Sequence, residues 1–560
     1  MERIWLKHYP AGVPADVAVD ALPSLVALLE DSFARYAARP CSKFMGCAHS
    51  FADMDTASRH FAAYLQALGL KPGDRVAVML PNVPQYVVAV AGILRAGMVV
   101  VNVNPLYTPR ELHHQLLDSD AQALILLDNF AATFEAVAAE VPVRHVVLTG
   151  LGDMLGWFRG WLVNTVVRHV RKMVPAYQLP HATRWAAAMA RGRGASFSPV
   201  HPGPDDLAVL QYTGGTTGTS KGAMLLHRHL VANVLQCEAW YQPALRHIPP
   251  GEQIVTVCAL PLYHIFGFNT NLMLSLRMGG CNLLIANPRD LPGLLKTLAG
   301  ERFHSFPAVN TLFNAIANHP DCAKVNWQRL KISIGGGSSV QQATARLWQE
   351  KTGCPIWEGY GLSETSPVVA CNPVDQDVFT GAIGLPLPNT ELRLLDDNGR
   401  DVPFGQPGEI AVRGPQLMAG YWRRPEETAA VTTADGFFRT GDIGVMDERG
   451  FFRIVDRKKD MVLVSGFNVY PNEVEDVVAQ LPGVRECAAI GVPDEHSGEA
   501  VKVVIVKRDP ALTEADVRRW CHDNLTGYKR PKLIEFKDEL PKTPVGKVLR
   551  RLLRQPSASQ

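Results

Sequence analysis

Short β-branched runs alternate with longer, helix-spaced stretches in the first part of the chain: RVAVML from Arg75, QYVVAVAGILRAG from Gln85, MVVVNVN from Met98, ALILLD from Ala123 and HVVLTG from His145. This alternation predicts α/β layering with mostly parallel strands, because parallel neighbours need a crossover between them. LAVLQY from Leu207 and GAMLLH from Gly222 read as two further strands, the second leading into a helix around Leu230 to Trp240. Past Arg413 the texture changes to glycine-rich turns such as GPQLMAGYW. After Lys459 a smaller α/β pattern begins, with NEVEDVVAQ as a helix, ECAAIGV and EAVKVVIVKRD as strands, and TEADVRRWCHDN as a helix started by Thr513. The charged run Asp456 to Asp460 separates two self-sufficient patterns. The expected architecture is therefore α/β: a large, multi-subdomain amino-terminal domain of layered sheets over residues 1–456, and a small carboxyl-terminal domain over 457–560.

One segment stands apart. LVNTVVRHVRKMVP, Leu162 to Pro175, places Val163, Val166, Val167, Val170 and Val174 at helical spacing, with Arg168, Arg171 and Lys172 around the other side and Trp157, Phe158 and Trp161 just upstream. Two readings follow. Either a surface helix packs its valines on the core, or residues 162–174 lie on an anionic membrane surface.

Composition narrows the function classes. A formal net charge of +2 gives no global attraction to nucleic acid. The ten cysteines are scattered without C-x-x-C or zinc-type spacing, which indicates neither a metal site nor a disulfide framework and suits a reducing compartment. The amino terminus lacks the unbroken apolar stretch of a signal peptide, and the most apolar region is interrupted by Pro81, Asn82, Pro84, Gln85 and Arg95. A cytoplasmic location, with a peripheral membrane contact as the alternative, is the expectation.

The candidate chemistry starts at QYTGGTTGTSKGAM, Gln211 to Met224. Glycines let a backbone approach an anion closely, Thr and Ser hydroxyls add donors, and Lys221 adds charge, so the loop between the two strands reads as a phosphate cradle. It is not a Walker A loop, because Gly218 is followed by Thr219 and Ser220 where that motif needs lysine. The other cluster, GGGSS at Gly335 to Ser339, has Val340 where a dinucleotide fingerprint needs its third glycine. EGYGLSETSP, Glu358 to Pro367, adds a tyrosine between glycines that can face a base, and in Glu364 a hard oxygen ligand of the kind Mg²⁺ uses beside phosphates.

YTGGTTGTSKG, PLYHIFG, EGYGLSETSP, FRTGD, GFFRIVDRKKDMVLVSGFNVYPNEVE and PKTPVGKVLRR occur in the order and approximate spacing of the adenylate-forming enzymes. The resemblance covers essentially the whole chain, and its last two blocks are most similar to bacterial long-chain fatty acid–CoA ligases. It implies that Thr213, Gly214, Gly215, Thr216, Thr217, Gly218, Thr219, Ser220, Lys221 and Gly222 close on the outer phosphates of ATP. It further implies that Thr213 and Glu364 hold Mg²⁺, and that Tyr360 stacks on adenine beside Gly335, Gly336 and Gly337, flanked by Glu358, Gly359 and Gly361. Asp442 and Arg457 would bind the ribose hydroxyls. Lys547 matches the lysine that bridges the reacting carboxylate and the α-phosphate, giving Lys547, Glu364 and Thr213 as the catalytic set. Lys459 matches the hinge about which the small domain rotates, withdrawing Lys547 and bringing Gly466 and Phe467 to the thiol. His264 and Gly267 fall in a block that lines the acyl site. His227 and His229, with no metal partner nearby in sequence, read as structural.

The implied activity joins a fatty acid to coenzyme A at the expense of ATP through an acyl-adenylate, releasing AMP and pyrophosphate. HIFGFNTNLML and FPAVNTLFN offer apolar and small residues and no carboxylate for an ammonium, which disfavours an amino acid substrate. Alternatives are an acyl-AMP ligase that loads a carrier protein, a medium-chain or aryl acyl-CoA synthetase, and a non-catalytic fatty-acid uptake protein at the membrane. The resemblance also implies a homodimer.

Overall fold

The strand–helix alternation of the first part folds into a seven-stranded sheet. In the computed structural model, which describes residues 3–213, 220–465, 467–494, 496–543 and 546–554, the strands lie in the order Thr183–Arg184, His145–Thr149, Ala121–Leu127, Arg75–Met79, Val99–Asn102, Leu207–Thr213 and Lys221–Leu226. All neighbours are parallel except the last pair, an antiparallel hairpin in which Thr213 faces Lys221. The two strands expected on either side of the glycine- and threonine-rich stretch are the observed ones. Gly214 to Thr219 lie outside the described residues.

A nine-stranded sheet packs beside it, with Ile356–Gly361, Ile332–Gly335, Ser305–Ala308, Val255–Cys258, Cys281–Leu284 and Pro40–Phe44 as its parallel centre and antiparallel strands at both edges. Helices of the main core run against these sheets. Pro84–Arg95 is buried at every residue, which is why its sequence is apolar all round. Its one charge, Arg95, is paired with Glu30 and Asp55 and donates to Ser58, as a buried cation must be.

Two smaller sheets complete the chain. The glycine-rich stretch past Arg413 belongs to an antiparallel four-stranded sheet, Glu391–Leu395, Gly408–Arg413, Phe438–Met446 and Phe452–Arg457. Beyond it, Val462–Val464, Phe467–Val469, Val484–Asp494, Gly498–Lys507 and Leu533–Lys537 form a separate sheet with its own apolar clusters. The helix Glu514–Asn524 starts where the sequence places it: Thr513 accepts from the Asp516 N–H in a capping box. The α/β architecture of layered amino-terminal sheets and a small carboxyl-terminal domain is thus the fold found.

The amphipathic segment differs from its expected form. The helix begins earlier, at Trp157–Thr165, and passes into a π-turn at Val166–Val170. None of its five valines is buried: Val163 packs partly against the main core and Val170 is exposed. No described helix is long and apolar enough to cross a membrane.

Candidate active site

The sheets and the small domain enclose one large cleft of about 1960 Å³, well beyond the size that a single drug-sized ligand fills. Its polar wall starts on the strand Phe438–Met446. Asp442 is buried there and lies opposite Arg457 in the register of the four-stranded sheet, with Nε 3.3 Å from Oδ1. Tyr360, on the strand Ile356–Gly361, donates its hydroxyl to the other Asp442 oxygen at 2.7 Å. Burial and the adjacent Asp442 charge push the Tyr360 phenol far above its usual range, so it remains a donor. The residue expected on the base and the residue expected on the ribose are therefore one hydrogen-bonded unit before any ligand enters.

Glu364 follows on the short turn Ser363–Thr365, buried, with its carboxyl pushed up by desolvation. Tyr421 donates to its Oε1 at 2.8 Å. The Tyr421 ring also lies beneath the Lys221 ammonium, 5.2 Å from the ring centroid, and Lys221 is ion-paired with Glu427. Thr213, Ser220 and Lys221 line the cleft, so the mouth of the phosphate cradle opens into it. The Ser220 carbonyl is in hydrogen-bond contact with the His114 ring at 3.0 Å. Tyr421, Glu427 and His114 escaped the sequence reading; the aromatic pair in GYW beside a glycine turn was the available signal for the first.

Gly336 and Gly337 line the cleft and Gly335 stands just behind it. A Cβ on Gly336 would sit 2.9 Å from the Phe266 ring, so the chain passes here only without a side chain. Glu358 accepts from the Val340 N–H at 3.1 Å and thereby holds the turn after Gly337; burial raises its carboxyl to about 8. Gly359 and Gly361 continue the same wall.

The small domain contributes Lys547. Its backbone is tied to Thr543, whose hydroxyl receives the Lys547 N–H at 3.0 Å and whose own N–H donates to the Lys547 carbonyl at 2.7 Å. The side chain enters the cleft beside Gly337, among Arg457, Asp442, Glu364 and Lys459, and burial lowers its ammonium to about 8. Lys459 lines the cleft too, its ammonium also lowered by burial.

The acyl-site expectations divide. His264 lines the cleft, and burial, with Lys547 nearby, lowers its imidazole to about 3, which keeps it neutral. Its Nδ1 accepts from the Phe266 N–H, the bond of a positioned side chain rather than of a base. Gly267 does not line the cleft, contrary to expectation: its side-chain position points into the Pro261 carbonyl, so its smallness serves the packing of the turn at Phe266–Met273. The apolar lining comes instead from residues such as Trp240, Tyr241, Phe266, Val340 and Phe379. Gly222 also stands outside the lining, against the Tyr212 ring. Phe467 is half-exposed and stacks on Tyr528 away from the cleft, with centroids 4.8 Å apart, and Gly466 lies outside the described residues. His227 and His229 are buried, pushed down to about 4 by desolvation, and accept from the Leu25 and Leu226 N–H groups; both are structural.

No described cluster of three or more His, Cys, Asp or Glu side chains is arranged to hold a metal. Glu364 and Thr213 nevertheless fit Mg²⁺, which keeps most of its waters and binds through one or two protein oxygens plus substrate phosphates. Tyr421 engages only Oε1 of the Glu364 carboxylate, and the residue lines the cleft.

Comparison with known proteins identifies the family. The family model described as AMP-binding enzyme matches residues 29–422, and the AMP-binding enzyme C-terminal domain matches residues 473–547. The long-chain-fatty-acid–CoA ligase of Escherichia coli O6:H1 is 54% identical over 555 residues, spanning 99% of this chain and 98% of that protein. Its counterpart in Bacillus subtilis is 35% identical, again over 99% of this chain and 98% of its own. Among solved structures, ATP-bound MatB from Rhodopseudomonas palustris matches with a TM-score of 0.81 at 31% identity, over 95% of this chain and 98% of that one. With both models and full-length relatives in accord, the chain belongs to the AMP-binding enzyme family, carrying its amino-terminal and carboxyl-terminal domains together.

Proposed function

We propose that this protein ligates a long-chain fatty acid to coenzyme A with ATP, through an acyl-adenylate. The observation that carries the reading is the meeting of Lys547 with Glu364, Asp442 and Arg457 in one cleft that also has an apolar stretch of wall, with Trp240, Tyr241, Phe266, Val340 and Phe379. Relatives named for this activity match nearly the whole chain.

A carboxylate does not react with a thiol, because oxide is too poor a leaving group. In the first half-reaction the fatty-acid oxygen attacks the α-phosphorus of ATP and the bond to pyrophosphate breaks. Charge grows on the phosphoryl oxygens, and the Lys547 ammonium is placed to hold it most strongly where it is greatest, in the transition state. Glu364 and Thr213 would hold the Mg²⁺, which supplies charge neutralisation on the phosphates. Tyr360 and Asp442 orient the adenosine, and the hydroxyls and Lys221 of the cradle take the outer phosphates. In the second half-reaction the thiol sulfur attacks the acyl carbonyl, the bond to AMP breaks with the electron pair leaving on the phosphate oxygen, and the thiol proton passes to solvent. The small domain, residues 457–560, acts as a lid hinged near Lys459 that withdraws Lys547 for this step. The support for a boundary here is the change of sheet: the last strand of the four-stranded sheet ends at Arg457, which itself stays with the amino-terminal body, and the next strand pairs within the lid.

The test is pyrophosphate release across fatty-acid chain lengths, with and without coenzyme A. Release that needs a long-chain acid, with thioester formed in the presence of the thiol, is the expected result. Release without thioester would instead mark an acyl-AMP ligase serving a carrier protein, and no release with any acid would end the ligase reading.

We also infer a peripheral membrane contact, carried by a surface rather than by the valines. Trp157, Phe158, Trp161 and Leu162 are exposed, Trp157 at 89%, and no Asp or Glu occurs from Met154 to Pro180 while Arg159, Arg171 and Lys172 do. Arg168 is engaged by Asp128 and drops out of the charge set. Exposed tryptophans beside uncompensated basic residues suit an anionic bilayer interface. Trp157→Ser with Trp161→Ser should abolish co-sedimentation with phosphatidylglycerol vesicles; undiminished binding would refute this surface.

A further inference from the structure

Lys547 is placed by the lid, so whatever fixes the lid's orientation fixes the adenylation chemistry. Three residues beyond it, Arg550 opens the short helix Arg550–Leu553. Its guanidinium donates to Asn472 Oδ1 at 2.6 Å and to Glu475 Oε1 at 2.9 Å, both on the lid helix Pro471–Ala479. It also donates to Asp456 Oδ1 at 3.2 Å, and Asp460 lies 3.6 Å away.

These partners fall on two sides of the hinge. Val474 and Val478, on the helix that carries Asn472 and Glu475, are core residues of the lid, and Leu553 packs with Ala488, Ile490 and Val504 of the lid sheet. Arg550, Asn472 and Glu475 therefore move as one body. Asp456 instead sits in the strand Phe452–Arg457, paired with Ile443 in the four-stranded sheet of the amino-terminal body. It is fully buried, and its second oxygen accepts from the Asn472 N–H at 2.8 Å. A lid rotation about Lys459 leaves Arg550 with its lid partners and separates it from Asp456 alone.

We propose that Arg550 is a positioning residue that, by pairing with Asp456 across the hinge, holds the lid in the orientation that delivers Lys547 to the cleft. The pairing is strong in that orientation because Asp456 is dry, and a buried carboxylate without its cation is costly. It is dispensable in the rotated orientation, where Asp456 meets water. The fork geometry matters: three separate guanidinium nitrogens reach Asp456, Asn472 and Glu475, a spread that the single nitrogen of an ammonium does not reproduce. Arg554, paired with Asp460 at 3.2 Å, lies on the same face but does not reach Asp456. The proposal rests on the two-step ligase reading given above.

The experiment measures two half-reactions on the full chain: fatty acid-dependent ATP–pyrophosphate exchange, and thioester formation from supplied acyl-AMP and coenzyme A. Asp456→Asn keeps an acceptor for the Asn472 N–H, and Arg550→Lys keeps the charge, so both are mild enough to fold. Each should lower the exchange rate about tenfold, the kinetic equivalent of removing one charged hydrogen bond from one conformer, with the KM for ATP unchanged and thioester formation preserved. The double variant should be no worse than either single one, since both remove the same pair. Glu535→Gln, which breaks the 2.6 Å ion pair with Lys502 inside the lid sheet, serves as the control for lid stability: it should lower the melting temperature without altering the ratio of the two half-reactions. A parallel fall of both half-reactions in Asp456→Asn, no change in either, or additive losses in the double variant would overturn the proposal. Absence of exchange in the unaltered protein with every fatty acid would overturn the ligase reading and this proposal with it, and is distinguished from the other failures by occurring before any substitution.

Discussion

The two walls of the cleft are held by different forces. On the amino-terminal side, Asp442 and Arg457 are set opposite each other by strand register, and Tyr360 reaches them from a neighbouring sheet. Moving any of them means breaking ladder hydrogen bonds. On the lid side, Lys547 is flanked by ion pairs, Lys542 with Glu486 within the lid and Arg550 with Glu475 and, across the hinge, with Asp456. A single ion pair across the hinge, Arg550 with Asp456, separates more readily than a ladder of strand hydrogen bonds. On the proposed reading the first wall would bind the nucleotide and the second, carried by the lid, would accelerate the reaction.

The sharpest break in that comparison is Lys547→Ala. It should slow acyl-AMP formation about a thousandfold, the usual scale for losing a group that stabilises transition-state charge, while thioester formation from supplied acyl-AMP stays within about twofold of the unaltered protein. Equal loss in both halves, read by quenched-flow assay, would erase the distinction between the walls. Asp442→Asn strikes the fixed wall. Removing its charge from both Tyr360 and Arg457 should lower kcat/KM for ATP by roughly ten- to a hundredfold, the worth of one or two charged hydrogen bonds, expressed mainly in KM. A fall confined to kcat would show instead that Asp442 acts in the chemical step.

The movable wall also carries a pH signature. Because burial lowers Lys547 to about 8 in the free protein, its cation is present below that pH and lost above it. The value of kcat/KM for ATP, which reports the free enzyme, should therefore decline as pH rises past about 8, by about tenfold per unit. Lys547→Arg should retain whatever activity it has across pH 8 to 10, since guanidinium stays charged; a decline of the same shape in that variant would place the titration elsewhere. The smallest effect expected is Tyr421→Phe. Loss of its hydrogen bond to Glu364 should cost about 1 kcal/mol, roughly fivefold in kcat/KM for Mg·ATP, and no change would show that Glu364 is held by its turn alone.

Local features were legible because their determinants are local. The capped helix at Glu514–Asn524, the two strands flanking the phosphate cradle and the change of pattern after Asp456 each depend on residues within a few positions of one another. The interactions that complete the site are not of that kind. Tyr421 meets Glu364 across 57 residues and Arg550 meets Asp456 across 94, and nothing in the spacing of either pair marks it. Gly267 shows the same limit from the other side. A small residue in an apolar block reads as room for a ligand, yet here it makes room for the Pro261 carbonyl. The valines from Val163 to Val174 have helical spacing that suits either a core or an interface, and only tertiary placement leaves four of them half-buried and Val170 exposed.

Hydrophobic period, capping and glycine content act over a turn or two of chain, so the order of strands and helices, and the glycine- and threonine-rich stretch between two strands, were set by the sequence alone. Tertiary structure alone decided which side chains share a cleft. It joined Tyr360 to Asp442 through the meeting of two sheets, set Tyr421 under Lys221, and turned the lid so that Lys547 faces Gly337. Those placements depend on how separately folded layers pack and on which buried charges find partners, a balance of desolvation against pairing summed over distant parts of the chain.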